Sequence, residues 1–207
     1  DGAEFLLDVP ESTMAGASSV TVRFYPGLLS HMTQGLEGML QSPNGCFEQV
    51  TSTTWPNVLI LDYLRRTERS DDKVEADARA YIRAGYQQLV NYEVSGTGGG
   101  FSYWGDPPPE PWLTAYGLME FTDMDRVAYV DPDLISRTAH YLLSLQGEDG
   151  SWNDPHRASG LPGQERLAFT AFVVWALGDA GYAGDAQVQR GVTFIRNELA
   201  GIAQPAP

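Results

Sequence analysis

Cys46 is the single cysteine of the chain and sits in the run Pro43-Asn44-Gly45-Cys46-Phe47-Glu48-Gln49. With no second cysteine there is no internal disulfide, so this sulfur has the chemistry of a thiol or of a modified thiol. Three positions on stands Gln49, a side-chain carboxamide within reach of the sulfur across one helical turn. A thiol and a carboxamide at this spacing can condense, with loss of ammonia, to an internal thioester. Such a bond is a stored acyl donor: sulfur donates poorly into the carbonyl, and thiolate leaves well. Water destroys it, so the surrounding elements have to hold the pair in register and keep it dry.

Those elements read as helix after helix. Leu28 to Leu40 is a first candidate, and Phe47 to about Thr54 a short one stopped by Pro56. Asn57 to Arg66, Asp71 to Tyr92, Glu110 to about Asp125, Asp131 to Gln146, Glu165 to Ala180 and Asp185 to Leu199 follow. The acidic pair Asp71-Asp72 suits a helix N-terminus, and Asp131-Pro132 is an N-cap followed by proline at the first helical position. Residues 1–27 differ. Glu4 to Val9 and Ser19 to Tyr25 are β-rich, the second alternating at period two, and Pro26-Gly27 closes the segment.

Two Gly-aromatic turns, Gly96 to Gly105 and Gly147 to Trp152, each precede a helix of similar core, Trp112-Leu113-Thr114-Ala115-Tyr116 and Leu167-Ala168-Phe169-Thr170-Ala171-Phe172. The two threonines are 56 residues apart, the length of two helices with their loops, which is an internal repeat of helical hairpins. The expected fold is therefore all-α, an α/α toroid in which inner helices form the core and outer helices wrap them. About eight helical segments are too few for six hairpins, and the tail Ala203-Gln204-Pro205-Ala206-Pro207 cannot extend a helix, so the toroid is expected to be incomplete in this chain. The expected boundaries are 1–27 for the β-rich end of a preceding domain and 28–207 for the helical domain.

Composition narrows the partners. The 43% hydrophobic content of 207 residues is enough for a substantial core. Thirteen basic against 27 acidic residues leave a net charge of −14, which disfavours nucleic acid and anionic lipid. No apolar run approaches the roughly 20 residues of a membrane span. The opening Asp1-Gly2-Ala3-Glu4 carries no initiator Met or signal peptide and reads as part of a longer or processed polypeptide. One cysteine fits a reducing compartment, or an exported protein stabilised by its core.

Gly45-Cys46-Phe47-Glu48-Gln49 resembles the Gly-Cys-Gly-Glu-Gln thioester signature of the α2-macroglobulin and complement family. The resemblance extends through Thr54 to Leu64, Ile82 to Leu89, Trp112 to Tyr116 and Asp149 to Trp152, in family order, from about residue 28 to 199. Phe47 where vertebrate members carry Gly, Val50-Thr51 where Asn commonly follows, and the low cysteine count look more like the bacterial branch. The resemblance implies a thioester domain of a secreted, periplasmic or cell-envelope-exposed protein. In it, proteolysis elsewhere in the parent molecule exposes the bond, and the Gln49 acyl group passes once to a nucleophile on a target protease or cell surface. The outcome is covalent trapping, protease inhibition or defence, without enzymatic turnover and without a cofactor or metal. The remaining domains of the parent protein would be its other partners.

The resemblance also implies a histidine that relays the acyl group to hydroxyls, placed in the loop after the Asp-Gly-aromatic turn. Among the three histidines His156 has that position, with Asn153 or Asp154 as alternative occupants that would leave direct attack by amines. His31 lies before the signature and His140 lies mid-helix. Tyr103, Trp104, Trp152, Trp55 and Tyr116 are the aromatics expected to shield the bond. The competing readings are an enzyme on the same toroid. One is terpene-cyclase-like, although the chain has no Asp-rich run and no convincing zinc set. The other is a Cys-His hydrolase using Cys46 and His156.

Overall fold

The computed structural model of the chain describes residues 38–68, 71–154 and 163–203. The β-rich segment expected over residues 1–27 lies outside these, as do His31, His156 and most of the helix expected over 28–40. The described residues form six α-helices: α1 (Phe47–Arg66), α2 (Asp72–Leu89), α3 (Pro111–Asp125), α4 (Pro132–Ser144), α5 (Gly163–Leu177) and α6 (Ala186–Ala203). The strand-like pairing seen among them is an isolated bridge between Glu93 and Phe101. None of these helices is long and apolar enough to cross a membrane.

The helices start where the sequence offers caps. Asp71 accepts from the backbone N–H groups of Lys73 and Val74 at 3.1 and 3.0 Å, and Asp185 from that of Gln187 at 2.7 Å. Asp131 does the same for Asp133, with Pro132 at the first helical position. One boundary differs from expectation. α1 runs unbroken through Pro56 instead of stopping there. Proline removes one N–H donor and crowds the preceding turn. Side chains on either side of the proline brace the helix: Asn57 Nδ2 donates to Thr53 O at 2.9 Å, and Thr53 Oγ1 donates to Gln49 O at 2.9 Å, while Thr54, Asn57 and Val58 are buried against the neighbouring helices.

Helix chemistry sorts the six into two layers. α3 and α5 are mostly apolar with no separate polar face along their length, whereas α2, α4 and α6 are amphipathic. α1 packs on α3 and α3 on α5, while α2, α4 and α6 pack on the outside of α1, α3 and α5 in turn. This is an α/α toroid built of hairpins. The inner helices run parallel. Arg65 near the end of α1 donates to the Arg126 and Val127 carbonyls at the end of α3, and Arg126 in turn pairs with Asp179 just past the end of α5. Their N-termini therefore open at one common end.

The repeat seen in the sequence is a repeat of hydrogen bonds. Thr114 Oγ1 on α3 accepts from Phe101 N–H at 3.0 Å, and Thr170 Oγ1 on α5 accepts from Trp152 N–H at 3.0 Å. Each inner-helix threonine thus pins the aromatic residue of the preceding turn. Each turn then abuts the next outer helix. A Cβ on Gly99 would strike the Arg137 carbonyl of α4, and one on Gly150 the Arg190 carbonyl of α6. The two arginines also hold the loops from which those turns spring. Arg137 grips Glu93 through two 2.8 Å bonds, and Arg190 donates to Gln146 Oε1 at 2.8 Å.

Two features of the α1–α3 seam generate expectations. Gly117 of α3 faces the ring of Phe47, and an added Cβ would stand 2.5 Å from Phe47 Cζ. Gly117→Ala should lower unfolding free energy by about 1–3 kcal/mol, read by denaturant titration. Glu120 of α3 is fully buried. The Thr51 hydroxyl lies beside it, yet neither carboxyl oxygen closes a well-aligned hydrogen bond. Burial, aided by Asp123 and opposed by Thr51, pushes this carboxyl well above the usual carboxylate range. The folded state then holds the proton that the unfolded chain releases, so stability falls as pH rises from the usual range through the raised value. Glu120→Gln removes that loss, and should raise Tm at about pH 8 while changing it little at about pH 4.

Candidate functional site

The signature forms a sharp bend that opens into α1. Gly45 has φ +103°, a left-handed conformation that glycine adopts without strain. Cys46 follows with φ −76° and ψ 174° and is the N-cap of α1. Gln49, at the third helical position, folds its side chain back over the bend, and its Oε1 accepts from Cys46 N–H at 3.1 Å. In return the Cys46 side chain faces the Gln49 backbone N–H, a capping box with sulfur where Ser or Thr usually stands. Gly45 is glycine for a second reason: a Cβ there would overlap Gln49 Oε1.

Three neighbouring elements fix the bend. From the end of α2, Gln88 Nε2 donates to Pro43 O at 3.1 Å, and Tyr92 OH, in the 3₁₀ turn Val90–Tyr92, donates to Gly45 O at 2.7 Å. From the Gly-aromatic turn, Tyr103 O accepts Phe47 N–H at 3.0 Å, satisfying a donor the helix start leaves open. From beneath, Phe47 is wholly buried, its ring 5.0 Å from that of Phe101 and 6.2 Å, edge-on, from that of Tyr92.

The Cys46 and Gln49 side chains have opposite surroundings. Cys46 carries a free thiol that is buried, only 9% exposed, whereas Gln49 is exposed on the solvent side of the bend. Burial first, and then the proximity of Cys46, raise the Tyr92 hydroxyl above its ordinary value. Tyr103 is raised by burial, then by Glu48, Glu110 and Cys46. Both phenols are therefore neutral hydrogen-bonding groups near pH 7 and do not compete as phenolates.

The chemistry available follows from this geometry. The Cys46 N–H holds the oxygen of the carbonyl that sulfur would attack, at the positive end of α1. The same donor would stabilise the oxyanion of a tetrahedral intermediate. The Cys46 sulfur faces the Gln49 backbone N–H at the start of α1, on the same turn as the carbonyl it would attack.

The other residues picked out in the sequence are distributed along the toroid. Tyr103 adjoins the bend, and Trp104, 64% exposed, packs edge-on against Tyr92 with centroids 6.3 Å apart. Trp55 and Tyr116 meet in the α1–α3 seam, 5.3 Å apart, with Trp55 Nε1 donating to Asp123 at 2.8 Å. Trp152 is wholly buried one hairpin further on, in the core cluster between α3 and α5, with Nε1 donating to Leu142 O at 2.6 Å. In the repeat it is the counterpart of Phe101. Asn153 and Asp154 follow it directly, at the same end of the inner helices as the bend. His140 is on the exposed side of α4, with Nδ1 2.7 Å from Ser136 O. His156 lies outside the described residues. Among the described residues no group of three or more His, Cys, Asp or Glu side chains could hold a metal. Sequence reasoning passed over Tyr92 and Gln88, because a clamp on a backbone carbonyl has no motif. Phe47 carried a legible signal: an aromatic at the first turn of a helix needs a pocket.

Comparison with known proteins shows the family of the chain. A family model of the A-macroglobulin TED domain matches residues 19–205. Allele R1 of thioester-containing protein 1 from Anopheles gambiae is 28% identical over 204 residues, covering 95% of this chain and 15% of that protein. Ovostatin from Gallus gallus is 26% identical over 183 residues, 86% of this chain and 12% of that protein. The chain thus spans about a seventh of the length of these relatives. With the fold, the signature bend and a match over nearly its whole length, the chain belongs to the A-macroglobulin TED domain family.

Proposed function

We propose that Cys46 and Gln49 condense to an internal thioester that acylates a nucleophile on a target protein or surface, trapping it covalently. The observation that carries this reading is the Gln49 carbonyl folded onto the Cys46 N–H across Gly45. In forming the bond, the Cys46 sulfur attacks the Gln49 carbonyl carbon, ammonia leaves, and one proton passes from the thiol to the departing nitrogen. In transfer, an incoming nucleophile takes the acyl group, and the C–S bond breaks to return the thiol. Each molecule acts once, because nothing in the cycle regenerates the Gln49 carboxamide. Proteolysis elsewhere in a larger parent protein is the release step, the targets are proteases or exposed surface nucleophiles, and the setting is secreted, periplasmic or at the cell envelope. Tyr103 and Trp104 serve as the aromatic wall on the sulfur side. His156, or Asn153 or Asp154 in its place, decides whether hydroxyls are reached through a relay or amines attack directly. Phe47 and the low cysteine count support placement with the bacterial branch of the family.

Intact mass is the direct test. The native protein should be lighter than its sequence by one ammonia, and methylamine should add at Gln49 while freeing one titratable thiol. Cys46→Ala should abolish both the mass deficit and covalent capture. A native protein of full sequence mass with a titratable thiol would overturn the reading, as would repeated turnover of a peptide or ester substrate. Gly45→Ala places a methyl group where Gln49 Oε1 lies, so the folded variant should show full sequence mass and no methylamine adduct.

A further inference from the structure

A concavity on the outer flank of the toroid shares no lining residue with the contacts that hold the bend. It is a groove of about 370 Å³ between α2 and the segment that joins α3 to α4. Its floor is the back of the core, Ile82, Met124 and Val127, with Ala128 and the ring of Tyr86 half-buried beside them. Its polar rim is Arg79, Arg83 and Gln87 of α2, and Tyr129, 77% exposed, stands at the edge. No Asp or Glu lines it. Glu75 pairs with Arg79 at 3.3 Å from one turn earlier on α2. Asp131 turns its carboxylate to Arg137 at 3.7 Å, while its N–H bonds to Tyr86 OH at 3.1 Å. Arg83 is exposed and has no ion-pair partner among the described residues. In a chain of net charge −14 the groove thus presents two guanidinium groups, one turn apart on α2, over an apolar floor.

We propose that this groove binds a small amphipathic carboxylate, a molecule with an apolar body and one terminal anionic group. The body lies along Ala128 and the rings of Tyr86 and Tyr129, and the carboxylate faces Arg83 and Arg79. A volume of a few hundred Å³ with apolar walls and a few polar groups is the make-up of a small-ligand site. Guanidinium groups offer a carboxylate paired donors in a matching plane. Like charges one turn apart on a helix repel each other, and an anion between them relieves that repulsion. The field of the whole chain points the other way, because a net charge of −14 draws cations to the surface. A preference for an anion here has to come from the groove itself, so ligand charge is the discriminating variable. The site is independent of the thioester reading, since none of its lining residues is among those that hold Cys46 and Gln49 in place.

The test titrates the protein with octanoate, octanamide and octyltrimethylammonium, which share one alkyl chain and differ in the charge of the head. Binding is followed by NMR through the backbone amides of Ile82 to Gln87 and of Val127 to Tyr129. Octanoate should shift these amides saturably, with a Kd of about 1 mM or below. Octanamide should bind at least about threefold more weakly, and octyltrimethylammonium more weakly still. Replacing both arginines, Arg79→Gln with Arg83→Gln, should bring octanoate to within about 1.5-fold of octanamide. Ala128→Trp, which fills the groove from its edge, should abolish the shifts in α2 on adding octanoate. Absence of saturable shifts at these amides up to about 10 mM octanoate overturns the proposal. So does equal binding of octanoate and octanamide, or binding of octyltrimethylammonium as tight as that of octanoate. These comparisons use the wild-type protein and decide the matter even if a variant fails to fold. A preference for octanoate that survives the double arginine replacement overturns it as well.

Discussion

The Gln49 carbonyl resting on the Cys46 N–H organises everything around it. A flexible carboxamide has three rotatable bonds and little reason to lie against its own helix start. It lies there because Gly45 has no side chain to displace it and turns through a left-handed conformation that aims Cys46 N–H at it. The turn in turn depends on α2, which anchors the Gly45 and Pro43 carbonyls through Tyr92 and Gln88. The Gly-aromatic loop closes the remaining side, because Tyr103 takes the Phe47 N–H that would otherwise face solvent. Removing any one of these contacts would free a rotation in the reacting pair, and effective concentration is lost quickly when such rotations return.

The toroid supplies rigidity by repeating one joint. An inner-helix threonine pins the preceding aromatic turn, a glycine lets that turn touch the next outer helix, and an arginine there holds the loop behind it. The joint around Phe101 is the one that supports the reactive bend, through the stacking of Phe47 on Phe101. The equivalent joint around Trp152 sits one hairpin away and steadies its neighbour. Catalytic-looking aromatics in a repeat protein are therefore divided by position into those that touch the bend and those that are structural copies of them.

That division explains what could be read from the sequence. The Cys46–Gln49 spacing, the hairpin pattern and the threonine repeat were all visible, because each depends on local spacing along one element. The assignment of aromatics to a shielding wall was not, because periodicity cannot say which loop flanks a given helix start. Tyr103 and Trp104 stand at the bend, while Trp55, Tyr116 and Trp152 fill seams between helices. Pro56 misled for a different reason: the rule that proline ends a helix weighs one lost hydrogen bond, and here burial of Thr54, Asn57 and Val58 on either side of the proline holds the helix together. Glu120, in a helix that also carries Asp123 and Asp125, gave no sequence hint that it would be wholly buried.

The unequal exposure of the two partners gives the bend a direction in time. In the thioester we propose, the acyl carbon would be on the wet side and the sulfur on the dry side, so cleavage would leave the new attachment outside and the thiol inside. In the proposed cycle the bend would work in one direction, because the group it releases is buried and the group it presents is exposed.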